Sequence, residues 1–205
     1  MKTDNNIALK WKGPFTLENL DMLQPEEFHR GGIYIWGFLN DGMFLPRYIG
    51  KANSITKISS RIYQHISSIK SGFCIIWNKN KNFNLPSYED KESRIKQILF
   101  CPPVNIRKNH PNYEEYQKKI DYLEVLKNWD KYKLHIDFMV KHFAFAFANC
   151  SDDKINDAEK KIINDNKDIL TNIRGGETTI KITHKGEKSI MQFLKTNGSI
   201  LNFGC

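Results

Sequence analysis

Two apolar runs, GGIYIWGFL over residues 31–39 and MFLPRYIG over residues 43–50, flank the tripeptide Asn40-Asp41-Gly42. Both runs are rich in β-branched and aromatic residues, which suit a pleated strand. Asn, Asp and Gly accept the positive φ that tight hairpin turns demand. The pair therefore reads as an antiparallel hairpin. At period two, Ile33, Ile35, Gly37 and Leu39 fall on one face, with Tyr34, Trp36 and Phe38 on the other. Pro46 has no N–H to donate to a ladder, so it belongs at an edge or a bulge.

Helical periodicity takes over next. Ile55, Ile58, Ile62, Ile66 and Ile69 form one stripe in a helix over 54–70, with Ser54 as N-cap and Gly72 closing it. Residues 139–148 (MVKHFAFAFA) read as a third strand, with Phe143, Phe145 and Phe147 on one face. A second helix follows over 152–170, capped by Ser151 or Asp152 and ended by Asn172 and Gly175-Gly176. Short strands at 178–184 and 199–203 bracket a helix at 187–195. The expected fold is α/β (α+β): a small central antiparallel sheet of about three strands flanked by helices.

The lead-in, 1–30, is broken at Gly13-Pro14 and has a short helix start at Pro25-Glu26-Glu27. It is expected to pack across the core. Residues 71–138 differ in character, with eight Asn and eleven aromatics, and read as an insertion containing a helix over 113–129. The division is thus an N-terminal extension 1–30, a core built from 31–70 and 139–176, an insertion 71–138 and a C-terminal extension 177–205.

The chain has 205 residues and a net charge of +8. That sign favours a polyanionic partner, nucleic acid first among them. The excess is spread as about +3, +3 and +2 over 1–70, 71–138 and 139–205, so no segment is a basic tail. Cys74, Cys101, Cys150 and Cys205 lie far apart, without the spacing of a zinc or redox motif. No run approaches the roughly 20 apolar residues of a membrane span, and MKTDNNIALKWKG lacks the apolar centre of a signal peptide. A soluble, cytoplasmic protein is expected.

One residue on the second helix is out of place. Ile155, Ala158, Ile162, Ile163, Ile169 and Leu170 share an arc, and Glu159 falls inside it, as does Asn166. A carboxylate amid apolar neighbours must be paired, protonated or bound to a cation. A salt bridge to Lys or Arg is one solution and a metal ion another. On the first helix Arg61 and His65 are one turn apart, which suits either a phosphate contact and proton transfer or two solvated surface residues. Tyr34 and Tyr48 read singly as core aromatics whose hydroxyls reach the surface, and Lys51 as a turn residue.

Taken together, Gly32-Ile33-Tyr34, Tyr48-Ile49-Gly50 with Lys51 following, Arg61 and His65 one turn later, and Glu159 on the helix after the third strand resemble the GIY-YIG nuclease family. The likeness covers residues 31–70 and 139–175. Thirteen residues separate the tripeptides and the loop 51–57 is long, both slight departures from compact members. The resemblance implies a one-metal phosphodiesterase leaving a 5′ phosphate. Glu159 would bind Mg²⁺, with Mn²⁺ able to substitute. Arg61 would stabilise developing charge on the phosphate, and Tyr34, its hydroxyl pKa lowered by nearby cations, would take a proton from water with help from His65. Tyr48 would orient water or phosphate, Lys51 would continue the second motif, and Asn172 would support Glu159.

The implied partner is double-stranded DNA. Lys79, Lys81, Arg107 and Lys108 in the insertion are the candidate DNA contacts, with 77–84 (WNKNKNFN) as a contacting loop. Without a zinc finger or a linker to a distal DNA-binding domain, the chain looks most like a stand-alone Type II restriction endonuclease of that family. Such an enzyme would work as a homodimer or higher oligomer beside a cognate DNA methyltransferase. A structure-specific or phage-type nicking nuclease, and a non-catalytic nucleic-acid-binding protein on the same fold, are the alternatives.

Overall fold

A computed structural model describes residues 6–40, 42–70, 126–127, 129–166, 178–191 and 194. Residues 1–64 and 142–205 form one compact unit and residues 65–141 a second. In chain order the elements are β1 (Asn6–Lys10), β2 (Lys12–Thr16), a 3-10 turn (Leu20–Met22), α1 (Pro25–Phe28), β3 (Gly32–Asn40), β4 (Met43–Ala52) and α2 (Ile58–Lys70). Then come α3 (Trp129–His142), β5 (Phe143–Asn149), α4 (Ile155–Asp165), β6 (Lys181–Lys185) and α5 (Lys188–Met191). The architecture is mixed α/β, with a four-stranded antiparallel sheet in the order β2-β5-β3-β4 and a separate parallel pair, β1-β6.

The β3–β4 hairpin forms as its sequence dictates. Among the described strands β4 is one of the two edge strands. The register slips between Trp36↔Tyr48 and Gly37↔Pro46, leaving position 47 as an extra residue, so Pro46 lies at both an edge and a bulge. β5 is a central strand buried on both faces, and its strict Phe-Ala alternation divides the sheet chemically. Phe143, Phe145 and Phe147 join an aromatic layer with Phe15, Phe28, Trp36 and Tyr48, the ring centroids lying 5.4–6.3 Å apart. Ala144, Ala146 and Ala148 point the other way and share a core with Ile33, Ile35 and Ile49 and with Ile155, Ala158, Ile162 and Ile163 of α4. α4 packs against β4 and β3, while β1 lies against β5. Each buried isoleucine in that core contributes about 2 kcal/mol.

Several expected boundaries move. The sheet has four strands rather than about three, because Lys12–Thr16 of the lead-in pairs with β5. The third strand starts at Phe143, not 139: Met139–His142 complete α3, where Ile136 and Met139 are buried at helical spacing. α2 starts at Ile58, not 54, so Ile55 leaves the apolar stripe and stands 84% exposed in the preceding loop. α4 starts at Ile155, with Lys154 rather than Ser151 or Asp152 at the N-cap position. Its C-cap is Asn166, whose side chain donates to the Ile162 carbonyl at 2.9 Å, which accounts for an amide on the apolar arc. Residues 113–125, 167–170 and 199–203, for which helix or strand was expected, lie outside the described residues, as do Asn172 and Gly175-Gly176, expected to end the second helix. No described helix is long and apolar enough to cross a membrane.

The two terminal extensions build one element together. β1 and β6 pair in parallel, Ile7 opposite Ile182 and Leu9 opposite His184. Trp11 Nε1 donates to His184 Nδ1 at 3.0 Å, which fixes the imidazole as a neutral acceptor. Burial is the main reason its pKa falls from 6.5 to about 4; Asp165 opposes the fall and Lys161 adds to it. The unfolded chain takes up this proton first. Stability from His184 is therefore complete above pH 6.5 and is lost as the pH falls through that value towards 4. Urea unfolding at pH 7 and pH 4.5 is expected to show His184→Gln losing about 2.5 kcal/mol less stability than the parent over that interval. Equal losses would show that the imidazole is not buried neutral.

Candidate active site

Five of the side chains picked out from sequence gather around β4: Tyr34 and Tyr48 lie within electrostatic reach of each other and of Arg61 and Glu159, and Lys51 pairs with Glu159. Tyr34 comes from β3, where its cross-strand partner is Gly50. A Cβ built on Gly50 would lie 2.3 Å from the Tyr34 hydroxyl oxygen and 2.4 Å from Cζ. The phenol ring therefore lies flat across the glycine, aimed over the edge strand, in the space a side chain at position 50 would fill. Tyr34 is 3% exposed, and Tyr48 stands beside it with ring centroids 6.4 Å apart.

Lys51 shares the aliphatic face of β4 with Ile49, two residues away, and α4 covers that face. Lys51 Nζ reaches Glu159 Oε2 at 2.5 Å, across 108 residues of sequence. The carboxylate is more enclosed than its partner, 16% against 38% exposed. Glu159 thus satisfies its apolar surroundings by pairing with the lysine of the second tripeptide motif. Arg61, in the first turn of α2, donates from Nη1 to Gln64 Oε1 at 2.9 Å, which orients the guanidinium.

The charges of Arg61 and Glu159 both bear on the two tyrosines. For Tyr34, burial pushes the hydroxyl pKa strongly up; Tyr48 and Glu159 add to the rise and Arg61 opposes it. Tyr48 is raised by burial and by Glu159, again against Arg61. The expectation of a lowered Tyr34 pKa is therefore corrected. Desolvation outweighs the Arg61 guanidinium, and in the protein alone both groups remain protonated phenols.

His65 lies one turn beyond Arg61 on α2, half-buried, in the part of the helix that belongs to the second unit. Asn172, Lys79, Lys81, Arg107 and Lys108 lie outside the described residues. Among the described residues no three His, Cys, Asp or Glu side chains cluster to hold a metal. The donor set is one carboxylate, Glu159, already facing a cation in the form of the Lys51 ammonium. One carboxylate completed by water and substrate oxygens suits Mg²⁺, which keeps much of its hydration shell.

One connection had no signal in the sequence. The loop before α2 is pinned to the loop before α4, because Ser54 donates to Asp152 from its backbone N–H (3.0 Å to Oδ1) and its hydroxyl (2.6 Å to Oδ2). Within the loop, the Thr56 N–H and hydroxyl donate to Asn53 Oδ1 at 2.7 and 2.8 Å, and Lys57 adopts the left-handed conformation at φ 54°. In the sequence Ser54 reads as the cap of the first helix and Asp152 as one of two candidate caps, with Ser151, of the second; capping uses the same side-chain oxygens. The clamp joins the segments leading into the Arg61 and Glu159 helices. Asp152→Ala is expected to speed hydrogen exchange at the Ser54 amide and, on the function proposed below, to slow catalysis about tenfold through misplacement of Arg61. Unchanged exchange would show that the clamp does not hold the loop.

No family model matches the chain, and no curated protein or solved structure matches it.

Proposed function

We propose that the chain is a divalent-metal-dependent DNA endonuclease of the GIY-YIG type, hydrolysing phosphodiester bonds to leave a 5′ phosphate. The observation that carries this reading is the convergence of Tyr34, Tyr48, Lys51, Arg61 and Glu159 around β4 from three separate parts of the chain. Two phenols, two cations and one carboxylate suit an anionic substrate that becomes more negative during reaction. The net charge of +8 agrees with a polyanionic partner.

Arg61 binds the phosphate and offsets the charge that grows on it. Tyr48 donates a hydrogen bond to the phosphate or orients the attacking water. Tyr34 lies beside Tyr48 with its proton held by burial, and it would take a proton from water only as the phenolate, after releasing its own proton to solvent under positive charge beyond that of Arg61. Glu159 would hold Mg²⁺, which when bound supplies charge neutralisation at the phosphate and at the leaving 3′ oxygen. His65 and Asn172 belong to the proposal through the motif alone. So do Lys79, Lys81, Arg107 and Lys108, as DNA contacts in the insertion.

The biological form proposed is a Type II restriction enzyme acting on double-stranded DNA, cutting both strands as an oligomer, with a partner methyltransferase protecting the host. Incubating the full chain with plasmid DNA and Mg²⁺, then mapping the ends, tests it. Discrete fragments with 5′ phosphates are the expected result. Nicks confined to branch points would replace restriction by a structure-specific role, and intact DNA under all Mg²⁺ and Mn²⁺ conditions would overturn the nuclease reading.

A further inference from the structure

Lys51 and Glu159 already pair with each other in the protein alone, with no substrate present. The ammonium sits 2.5 Å from Oε2, on the one carboxylate of the cluster. Glu159 is the more enclosed of the two, set among Ile155, Ala158, Ile162 and Ile163, so it needs a counter-charge whenever no other cation is present. Lys51 supplies one from a strand whose backbone is fixed opposite Ile33, on a long flexible stem that reaches other positions without moving the sheet. A divalent ion bound to that oxygen would stand within a few ångströms of the ammonium, and the repulsion between the two like charges sets them in competition for the carboxylate.

We propose that Lys51 is the built-in occupant of the cation site. A divalent ion reaches Glu159 only by displacing the ammonium, and the released lysine then pairs with a phosphate of the nucleic acid. The protein alone therefore binds its cation weakly, and arrival of the polyanion favours loading because it gives Lys51 a second partner. The idea rests on the reading of Glu159 as the cation ligand.

Calorimetric titration of Mg²⁺ into the full chain, without DNA, separates the two. Lys51→Met keeps the stem and removes the charge, and is expected to tighten Mg²⁺ binding about fivefold, the worth of a partly exposed ion pair. Lys51→Arg keeps the charge and should bind as weakly as the parent, which a purely structural role for the side chain would not predict. Glu159→Gln should lose binding. If Glu159→Gln loses binding but Lys51→Met binds no tighter than the parent, the displacement idea is overturned and the ligand assignment stands. If Glu159→Gln binds as the parent does, or none of the proteins binds, both fall. Thermal melting of each variant verifies folding, and an unfolded Lys51→Met is replaced by Lys51→Gln under the same criteria.

Discussion

Glu159→Gln is expected, on the proposed nuclease function, to lower Mg²⁺-dependent DNA cleavage by about three orders of magnitude while leaving the chain folded. The substitution keeps the shape of the side chain and its place on α4 but removes the charge. Only a partly exposed ion pair to Lys51 is lost, so the stability cost is below about 1 kcal/mol. A residue that served the fold alone would show that small cost and near-normal cleavage. A residue that holds the catalytic cation would show the same small cost with almost no activity. Cleavage rates at saturating Mg²⁺, read beside urea unfolding, decide between them. Cleavage within tenfold of the parent would remove Glu159 from the site.

The pattern that singled out Glu159 was legible because a single helix carries it. At 100° per residue the carboxylate fell among isoleucines, and that misfit required a partner. Which partner was not legible. Lys51 is 108 residues away, and only the packing of α4 against β4 brings the ammonium to it. Asn166 shows the limit of the same test, since a second polar residue on the arc proved to be a helix cap.

The fold divides along the same line between local and distant information. The β3–β4 hairpin and the Phe-Ala alternation of β5 are local and periodic, and both appear in the structure. β2 was hidden because Lys12-Gly13-Pro14-Phe15-Thr16 carries two poor strand formers, and becomes a strand by pairing with β5. Asn6–Lys10 and Lys181–Lys185 each alternate buried with exposed, yet nothing in either sequence names the other as partner. The shift of the third strand from 139 to 143 has a different cause. Val140 next to a run of alternating phenylalanines suggests a strand, while the Ile136 and Met139 spacing that makes it helical looks backwards along the chain. Tyr34 was misjudged in its chemistry for the same physical reason: nearby cations were foreseen, but the burial that outweighs them arises from tertiary packing.

Gly50→Ala is the second large effect, and it tests why β4 has a glycine opposite the tyrosine proposed to take part in catalysis. The added Cβ would sit 2.3 Å from the Tyr34 hydroxyl oxygen, 2.4 Å from Cζ and 2.8 Å from Cε2, well inside contact distance along one side of the ring. Tyr34 is 3% exposed beside Tyr48, so the ring cannot retreat without moving its neighbours. Overpacking of this kind costs about 1–3 kcal/mol, and a displaced hydroxyl is expected to slow cleavage about 100-fold. Gly42→Ala is the control, since a Cβ there meets nothing within 4 Å and only the φ of 76° opposes it. That change should cost about 1 kcal/mol and leave cleavage intact. In a Tyr34→Ala background the clash is gone, so Gly50→Ala should then cost almost nothing in stability. A double-mutant cycle measures the coupling. A coupling near zero would mean that the ring does not lie over Gly50. A large coupling with cleavage unaffected in Gly50→Ala would mean that the ring lies there only to fill the sheet edge, and that its hydroxyl takes no part in the chemistry.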